Sequence, residues 1–391
     1  MGFFSLSAFA NVPPPPVNEQ VELTKIHDAD PYEQKVNLTT EEYKDRNGDL
    51  WVLPVVRQTE LELIMDTSLT HGKSTMWGNG EFIKAAQDML FGTPSAELRS
   101  KVASIQTVSG TGACHIGAKL LCDSLKPNTI WTLPDRSGVD FDGMINALKT
   151  RARRNDVICL HSCAHSSSGL DLTLEQWVEL GKVCQKIGIF PFFDSAYQGF
   201  ASGDPDADVW AIRCFVELGL EVCVAQSFSR SFGLSGERVG CLHVVLNSSA
   251  QRQSVFGRLY HYQRGLTSTP PTYGANIVST ILTSESLYRA WRIDLKSMTD
   301  RIQKLRLGLY NELIKRRVPG SWEYLLIQRG MFAHTKLSKQ QVELLRTEYH
   351  IYIMSTGRIS LPALNAQNIE WVAGAINEVV TRFSLEEKAN L

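Results

Sequence analysis

Short apolar runs alternate with amphipathic stretches through the middle of the chain. The runs are rich in Val, Ile, Phe and Cys and lie in the segments SIQTVSG, DVICLHSC, IFPFFDSAY, EVCVAQSFS and VGCLHVVL. Helical periodicity separates several of them, as in ACHIGAKLLCDSL and LEQWVELGKVCQKIG. Buried strands that alternate with helices predict an α/β fold with a mostly parallel central sheet, in which ligands bind at the carboxyl ends of the strands.

The pattern changes on both sides of this region. The segment NVPPPP, residues 11–16, predicts an extended N-terminal arm because a proline run cannot join a helix. The segment DRNGDLWVLPVV predicts a turn at Asn47–Gly48 followed by a short strand. After Thr272 long helices precede GMFAHTKL, YHIYIMSTGRISL and a final amphipathic helix. We predict three parts: an arm with the start of a small domain over 1–45, a large α/β domain over 46–295, and a small C-terminal domain over 296–391.

Composition narrows the class of protein. The chain has 391 residues, 43% of them hydrophobic, and a net charge of -1. It can therefore bury a large core, and we expect neither nucleic acid nor an anionic membrane as its partner. No apolar run reaches the roughly 18 residues that a membrane-spanning helix needs, and the N-terminus lacks the positive start of a signal peptide. The eight cysteines form no CxxC pair, so we expect a cytoplasmic protein with reduced thiols and no metal site.

Polar residues follow the ends of several predicted strands. The segment SGTG, residues 109–112, stands between a strand and a helix, where free backbone N–H groups and two hydroxyls suit a phosphate. Ser227 and Arg238 would add a hydroxyl and a guanidinium to the same anion. Asp194 ends the strand PFFD, where it either caps the next helix or pairs with a protonated ring nitrogen of a ligand. Tyr197 either donates to that ligand or packs in the core.

Motifs that occur in order along the chain resemble those of one enzyme family. Segments such as VNLTTEEYKDRNGDLWVLPVVRQTE, QTVSGTGA, LHSCAH, FDSAYQGFASG, SGERVG, STPPTYGA, RGMF and GRISLPALN are similar to segments of the aspartate aminotransferases. These are class I pyridoxal-phosphate enzymes of fold type I, and the similarity extends over nearly the whole chain. The resemblance implies a large domain whose sheet is sandwiched by helices, a smaller α/β terminal domain, and a homodimer with its active site at the interface.

The resemblance also implies a role for each polar position. It assigns Asp194 to the ring nitrogen of pyridoxal phosphate and Tyr197 to the ring hydroxyl. It assigns Arg358 to the α-carboxylate of the substrate and Arg264 to a side-chain carboxylate across the dimer interface. For both arginines a structural salt bridge is the alternative. The residues that it assigns to the cofactor phosphate are Ser109, Gly110, Thr111, Ser227 and Arg238.

The segment SFSRSFGLSGERVG departs from the resemblance at one position. Arg230 stands where the related enzymes carry the lysine that forms a Schiff base with the cofactor. That lysine must be neutral to attack an aldehyde and to move a proton between carbons. An arginine keeps its proton because its pKa lies at about 13. Unless another group serves as the base, ordinary transamination is excluded, and pyridoxal phosphate would bind noncovalently or not at all.

Four further differences concern the same pocket. The segment HSSSG places Ser166 and Ser167 where the related enzymes have an Asn and a Pro. Glu41 stands where a glycine normally leaves room for the substrate. The chain between IWTLP and VDFDG is short, so the aromatic residue that stacks on the cofactor is missing. The segment GKSTMWGNG offers no match to the tyrosine that a partner subunit lends to the phosphate.

These differences leave three hypotheses. In the first, which we favour, the chain is a repurposed enzyme that cyclises, isomerises, dehydrates or decarboxylates a small carboxylate without a lysine-bound cofactor. In the second, it is an inactivated or mutated aspartate aminotransferase that binds pyridoxal phosphate noncovalently. In the third, it is a non-catalytic pseudoenzyme. Under the first hypothesis the catalytic residues are Arg230, Tyr197 and His165, and the substrate-binding residues are Glu41, Ser166, Arg264 and Arg358.

Overall fold

The structure is a computed structural model that describes residues 7, 9–70, 72–132, 140–166 and 168–389. The strands among these residues are β1 (Val36–Asn37), β2 (Val102–Val108), β3 (Ile130–Thr132), β4 (Val157–His161), β5 (Phe190–Ser195), β6 (Val222–Ser227), β7 (Val239–Val245), β8 (Phe332–His334), β9 (Ile351–Tyr352) and β10 (Arg358–Ser360). The helices among them are α1 (Glu19–Ala29), α2 (Pro54–Met65), α3 (Gly80–Phe91), α4 (Ala96–Lys101), α5 (Ser109–Leu125), α6 (Phe141–Arg151), α7 (Leu174–Ile187), α8 (Trp210–Glu217), α9 (Arg252–Leu266), α10 (Tyr273–Thr283), α11 (Glu285–Lys315), α12 (Tyr324–Ile327), α13 (Lys339–Thr347) and α14 (Ile369–Ala389).

A six-stranded sheet forms the centre of the molecule, in the order β2-β7-β6-β5-β4-β3. The four strands from β3 to β6 are parallel, whereas β7 runs antiparallel to both of its neighbours, β6 and β2. Every residue of β6 and β7 is buried, as expected for strands that are covered on both faces. The predicted α/β fold with helices on both sides of the sheet is therefore confirmed, and β7 makes the sheet mixed.

Alternate residues of the strands pack against helices on opposite faces of this sheet. On one face, Phe192 of β5 lies in a cluster with Ile116 of α5. On the other face, Phe193 packs edge-to-face on Phe215 of α8, with ring centroids 5.2 Å apart, and Trp177 of α7 completes that cluster. This two-sided packing holds the carboxyl ends of β5 and β6 at one edge of a rigid sheet, where polar residues follow.

Two short sheets form a second part of the fold. Strand β1 pairs in parallel with β9, and β10 pairs antiparallel with β8. The amide of Ser360 donates to the carbonyl of Leu38 at 2.7 Å, which joins the two pairs. The segment after β1 and the strand β10 are therefore held side by side, and they carry Glu41 and Arg358.

Helix α11 connects this part to the central sheet, and the boundary predicted at 295–296 lies within it. Near its start, the indole N–H of Trp291 donates to the carbonyl of Ser231 at 2.9 Å. Further along, Arg306 is 5% exposed and donates to the carbonyls of Gly330 at 2.7 Å and Phe332 at 3.1 Å. Trp291 and Arg306, which anchor α11 through these contacts, therefore lie on one 31-residue helix.

The strand predicted within DLWVLPVV is wrong. The preceding turn is present, because Lys44 pairs with Leu50 and Gly48 has a φ of 91°. After it, however, α2 begins at Pro54. Proline suits the first position of a helix, where no N–H is needed, and the amide of Val55 donates to Asp294 at 2.9 Å. Among the described residues, no helix is both long and apolar enough to cross a membrane.

Candidate functional site

A pocket of about 730 Å³ lies at the carboxyl ends of β2, β5 and β6, beside the segment that follows β1. The fold brings eight of the predicted site residues to its lining. These are Glu41, Ser109, Gly110, Thr111, Asp194, Ser227, Arg230 and Arg238. The position agrees with the general rule that open α/β sheets bind ligands at the carboxyl edge of the strands.

The first turn of α5 and the start of β7 form a cradle on one side of the pocket. Ser109 and Arg238 both adopt left-handed backbone, with φ of 64° and 54°, and the amide of Ser109 donates to the carbonyl of Arg238 at 2.7 Å. A β-carbon on Gly110 would lie 2.8 Å from that of Ser227, and one on Gly240 would overlap the backbone of Ser109. Only glycine fits this close approach, which exposes the first N–H groups of a 17-residue helix to the pocket. Such a cradle suits an anion.

Hydroxyl groups extend the cradle, and one of them was missed by the sequence prediction. The amide of Ser229 donates to Oγ of Ser227 at 3.4 Å, and Oγ of Ser229 lies 3.5 Å from Oγ of Ser109. Nη1 of Arg238 donates to the carbonyl of Ser235 at 2.9 Å, and both residues line the pocket. The signal for Ser229 was its place two residues after Ser227, because a serine hydroxyl often accepts from the amide two residues on in a turn.

Asp194 supplies a carboxylate to the pocket from near the end of β5. It is in register with His161 of β4 and Ala225 of β6, so it stands between two parallel neighbours. Desolvation raises its pKa to about 6, and the positive charge of Arg230 acts in the opposite direction. Oδ2 lies 3.8 Å from Nε2 of His161, while no Lys or Arg nitrogen of the described residues is within 4.0 Å. This acid is suited to pair with a positively charged ligand atom.

Arg230 and Arg358 meet at one carboxylate. Nη2 of Arg230 donates to Oε2 of Glu41 at 2.7 Å, and Nη2 of Arg358 lies 3.6 Å from Oε1 of the same side chain. The guanidinium of Arg358 also lies over the ring of Phe332, 4.3 Å from its centroid. Nε of Arg230 is buried without a hydrogen-bond partner among the described residues, and so is Oγ1 of Thr40, which the sequence prediction did not include.

Tyr197 and His165 lie beside the pocket rather than on its lining. Tyr197 is buried against Phe332, with ring centroids 6.5 Å apart, and burial is the main reason that its pKa is raised to about 12. Nδ1 of His165 lies 2.9 Å from Oγ of Ser168. His165 and Ser166 line an adjoining cavity of about 450 Å³, which shares Asp194 with the pocket.

Arg264 stands apart from the pocket. It is exposed in the last turn of α9, as a residue that serves a neighbouring subunit would be.

Ser167 and the short segment after Thr132 lie outside the described residues, so the predictions made for them stay predictions. Within the part of the chain that the structure describes, no group of three or more His, Cys, Asp or Glu side chains could hold a metal ion.

Comparison with known proteins identifies the family. The sequence profile of the family "Aminotransferase class I and II" matches residues 33–135 and 126–376. The chain belongs to this family. The cytoplasmic aspartate aminotransferase of Caenorhabditis elegans is 36% identical over 402 residues, which cover 96% of this chain and 98% of that protein. An L-tyrosine:2-oxoglutarate aminotransferase of Aspergillus ustus is 36% identical over 397 residues, which cover 92% of this chain and 76% of that protein.

A solved aminotransferase structure has the same fold. The aromatic-amino-acid aminotransferase of Burkholderia pseudomallei, covalently bound to pyridoxal phosphate, matches with a TM-score of 0.91 at 33% identity. The match covers 96% of this chain and 100% of that one. The chain is therefore an aspartate aminotransferase-like protein with the fold of type I pyridoxal-phosphate enzymes.

The hypothesis of a repurposed, cofactor-independent enzyme is wrong. These relatives match over nearly the whole chain, and their names are those of aspartate, tyrosine and aromatic-amino-acid aminotransferases. The prediction treated each difference at the pocket as the loss of the family's reaction. The structure keeps the cradle, the acid of β5 and an arginine pair around one pocket, so the differences alter the lining without removing the site. The family and the fold point to ordinary amino-group transfer.

Proposed function

We propose that the chain is a pyridoxal-phosphate-dependent aminotransferase that holds its cofactor noncovalently and exchanges an amino group between an amino acid and a 2-oxo acid. The observation that carries this proposal is the cradle of Ser109, Gly110 and Arg238, which opens onto the same pocket as Asp194. An anion site and an acid without a Lys or Arg partner among the described residues match the phosphate and the protonated ring nitrogen of this cofactor.

The described residues fit the cofactor at both ends. The amides of Gly110 and Thr111, the hydroxyls of Ser109 and Ser227, and Arg238 would hold the phosphate, while the amide of Ser109 stays bonded to the carbonyl of Arg238. Asp194 would hold the ring nitrogen protonated. Tyr197, which lies beside the pocket, would donate its hydroxyl to the ring oxygen, and burial holds that proton more firmly by raising the pKa to about 12. When bound, pyridoxal phosphate supplies the aldehyde that receives the amino group and a ring that accepts electrons.

Binding is proposed to be noncovalent because of Arg230. Its guanidinium stays protonated at neutral pH, so it cannot attack an aldehyde as a lysine does. Among the described residues no lysine lines the pocket. Because the pocket offers no amine as a proton carrier, we expect slow turnover.

The proposed substrates carry carboxylates, and the proposed assembly is a homodimer. Arg358 is the proposed partner of the α-carboxylate, and Arg264 would reach a second carboxylate in the neighbouring subunit's pocket. Exposed apolar residues on one helix support an interface between copies, since Leu61, Ile64 and Met65 of α2 are all more than 60% exposed. A cytoplasmic location is proposed because the Caenorhabditis relative is named as cytoplasmic.

A single-turnover experiment tests this function. The protein is mixed with one equivalent of pyridoxal phosphate and an excess of aspartate or tyrosine. The cofactor is then recovered, and its form is identified by mass spectrometry. We expect slow conversion to pyridoxamine phosphate with release of the matching 2-oxo acid. Dialysis should remove the cofactor, and borohydride should leave no cofactor mass on the protein. Tight binding of the cofactor without conversion by any amino acid would contradict the proposal.

A further inference from the structure

Glu41 occupies the place at which two arginines would bind the carboxylate of a ligand. Its two oxygens contact different guanidiniums, Oε2 that of Arg230 at 2.7 Å and Oε1 that of Arg358 at 3.6 Å. Among the described residues no other carboxylate lies within 4.0 Å of either guanidinium. A bridging carboxylate of this kind has the charge and the shape of a substrate carboxylate.

Backbone hydrogen bonds of Leu38 fix the segment that carries Glu41. The amide of Leu38 donates to the carbonyl of Tyr352 at 2.8 Å, and the carbonyl of Leu38 accepts from Ser360 at 2.7 Å. Leu38 therefore fixes the segment of Glu41 beside β10, which carries Arg358. Arg230 comes from the other part of the fold, in the loop after β6. The carboxylate of Glu41 thus bridges two elements that approach the pocket from opposite sides.

The side chain of Glu41 is free to leave while the arginines stay. It is 39% exposed, whereas the side chains of Arg230 and Arg358 are 19% and 16% exposed. The guanidinium of Arg358 also packs on Phe332, and the backbone beside Arg230 is fixed because the carbonyl of Ser231 accepts from Trp291. Rotation of Glu41 toward solvent would therefore expose two positioned guanidiniums to the pocket.

We propose that Glu41 is a specificity-determining residue that acts as a resident carboxylate, so that a ligand carboxylate binds Arg358 and Arg230 only by displacing it. The role of these arginines in holding substrate rests on the proposed function. With Glu41 in place, a second carboxylate would meet a like charge, and one donor of Arg230 would already be occupied. Glu41 therefore lowers the affinity of the pocket for every ligand that presents a carboxylate there, and it favours ligands whose remaining contacts offset the displacement.

Titration calorimetry with succinate tests this proposal without any turnover, because succinate has no amino group to transfer. Succinate is titrated into the protein loaded with pyridoxal phosphate and into the cofactor-free protein. We expect Glu41→Gln and Glu41→Ala each to bind succinate about tenfold more tightly than the unaltered protein. Glu42→Gln is the matched control, because Glu42 lines the same pocket and its carboxylate has no arginine within 4.0 Å among the described residues. Its affinity for succinate should be unchanged.

Two further measurements test whether Glu41 weakens succinate binding through its contacts with the arginines. In an Arg358→Gln background, Glu41→Gln should tighten the binding of succinate less than it does in the unaltered protein, because only Arg230 is left to bind the ligand carboxylate. A crystal structure of the unaltered protein with succinate should show Glu41 turned away from Arg358. Unchanged affinity in both Glu41 variants, an equal gain in Glu42→Gln, or succinate bound while Glu41 still bridges the arginines would overturn the proposal. If these results hold but no amino acid converts the cofactor, the proposed function fails and the role of Glu41 stands.

Discussion

The amide of Ser109 donates to the carbonyl of Arg238 across 2.7 Å, and both residues have a positive φ. A non-glycine residue rarely adopts this conformation, which costs of order 1 kcal/mol or more at each position. Here it brings a helix N-terminus and a guanidinium to the same side of the pocket.

The first prediction concerns the space inside the cradle. In Gly110→Ala the new methyl group would lie 2.8 Å from the β-carbon of Ser227, so one of the two must move. We expect the affinity for pyridoxal phosphate to fall about tenfold, the loss of roughly one charge-assisted hydrogen bond. Gly112→Ala is the control, because its methyl group would meet ordinary contacts of 3.6 Å. Equilibrium dialysis measures both, and equal affinities in the two variants would show that the cradle does not hold the phosphate.

The second prediction concerns the pH dependence of cofactor binding. Because burial raises the pKa of Asp194 to about 6, its carboxyl is ionised at pH 7 and neutral at pH 5 in the cofactor-free protein. Only the ionised form pairs with a protonated ring nitrogen, so affinity should fall as pH is lowered through 6, by up to about tenfold per pH unit below it. Asp194→Asn should bind more weakly at pH 7 and lack this step. If the variant and the unaltered protein have the same pH profile, Asp194 does not contact the cofactor.

The third prediction concerns Arg230. Arg230→Lys restores a side chain that deprotonates and carries protons, and the cradle, Asp194 and Arg358 remain. We expect it to raise the rate of single-turnover transamination about 100-fold or more, within the range of general acid–base effects. It should also make the cofactor resistant to dialysis and reducible by borohydride onto residue 230. Arg230→Gln is the control and should show neither change. A lysine variant no faster than the glutamine variant would place the limiting step elsewhere in the pocket.

The fourth prediction concerns the dimer. If Arg264 serves the neighbouring subunit, Arg264→Gln and Arg358→Gln each damage every site in their homodimers. Mixed dimers of the two variants contain one intact site out of two. Random mixing should therefore recover about a quarter of the unaltered activity toward a dicarboxylic substrate. Recovery is measured after denaturing and refolding the mixed variants, with each variant refolded alone as the control. No recovery, in a sample shown to be dimeric by light scattering, would contradict this arrangement.

Much of the fold followed from hydrophobic patterning, because buried strands such as β6 have continuous apolar runs. The direction of β7 did not follow, since a strand buried on both faces has the same pattern whether it is parallel or antiparallel. The start of α2 was missed because LWVLPVV is apolar and β-branched, and only tertiary contacts such as that of Val55 with Asp294 favour a helix there.

The candidate site shows the same division between local and long-range information. Ser109, Asp194 and Ser227 were found because each stands at a strand end, which is visible in the sequence. The sequence also placed Glu41 at the pocket, at a position where a glycine normally leaves room for the substrate, and named it among the substrate-binding residues. Its contact with Arg230 joins residues 189 positions apart, and no local pattern carries such a pairing.

Helix α11 sets the separation of the two arginine-bearing segments without touching the pocket. Trp291 holds the loop of Arg230 through Ser231, and Arg306 holds Phe332, on which Arg358 lies. The fifteen helical steps from Trp291 to Arg306 span about 22 Å, and each residue added or removed would turn one anchor by about 100° relative to the other. Among descendants of this gene, point substitutions should accumulate on the exposed side of α11, while insertions and deletions between positions 291 and 306 should be eliminated by selection.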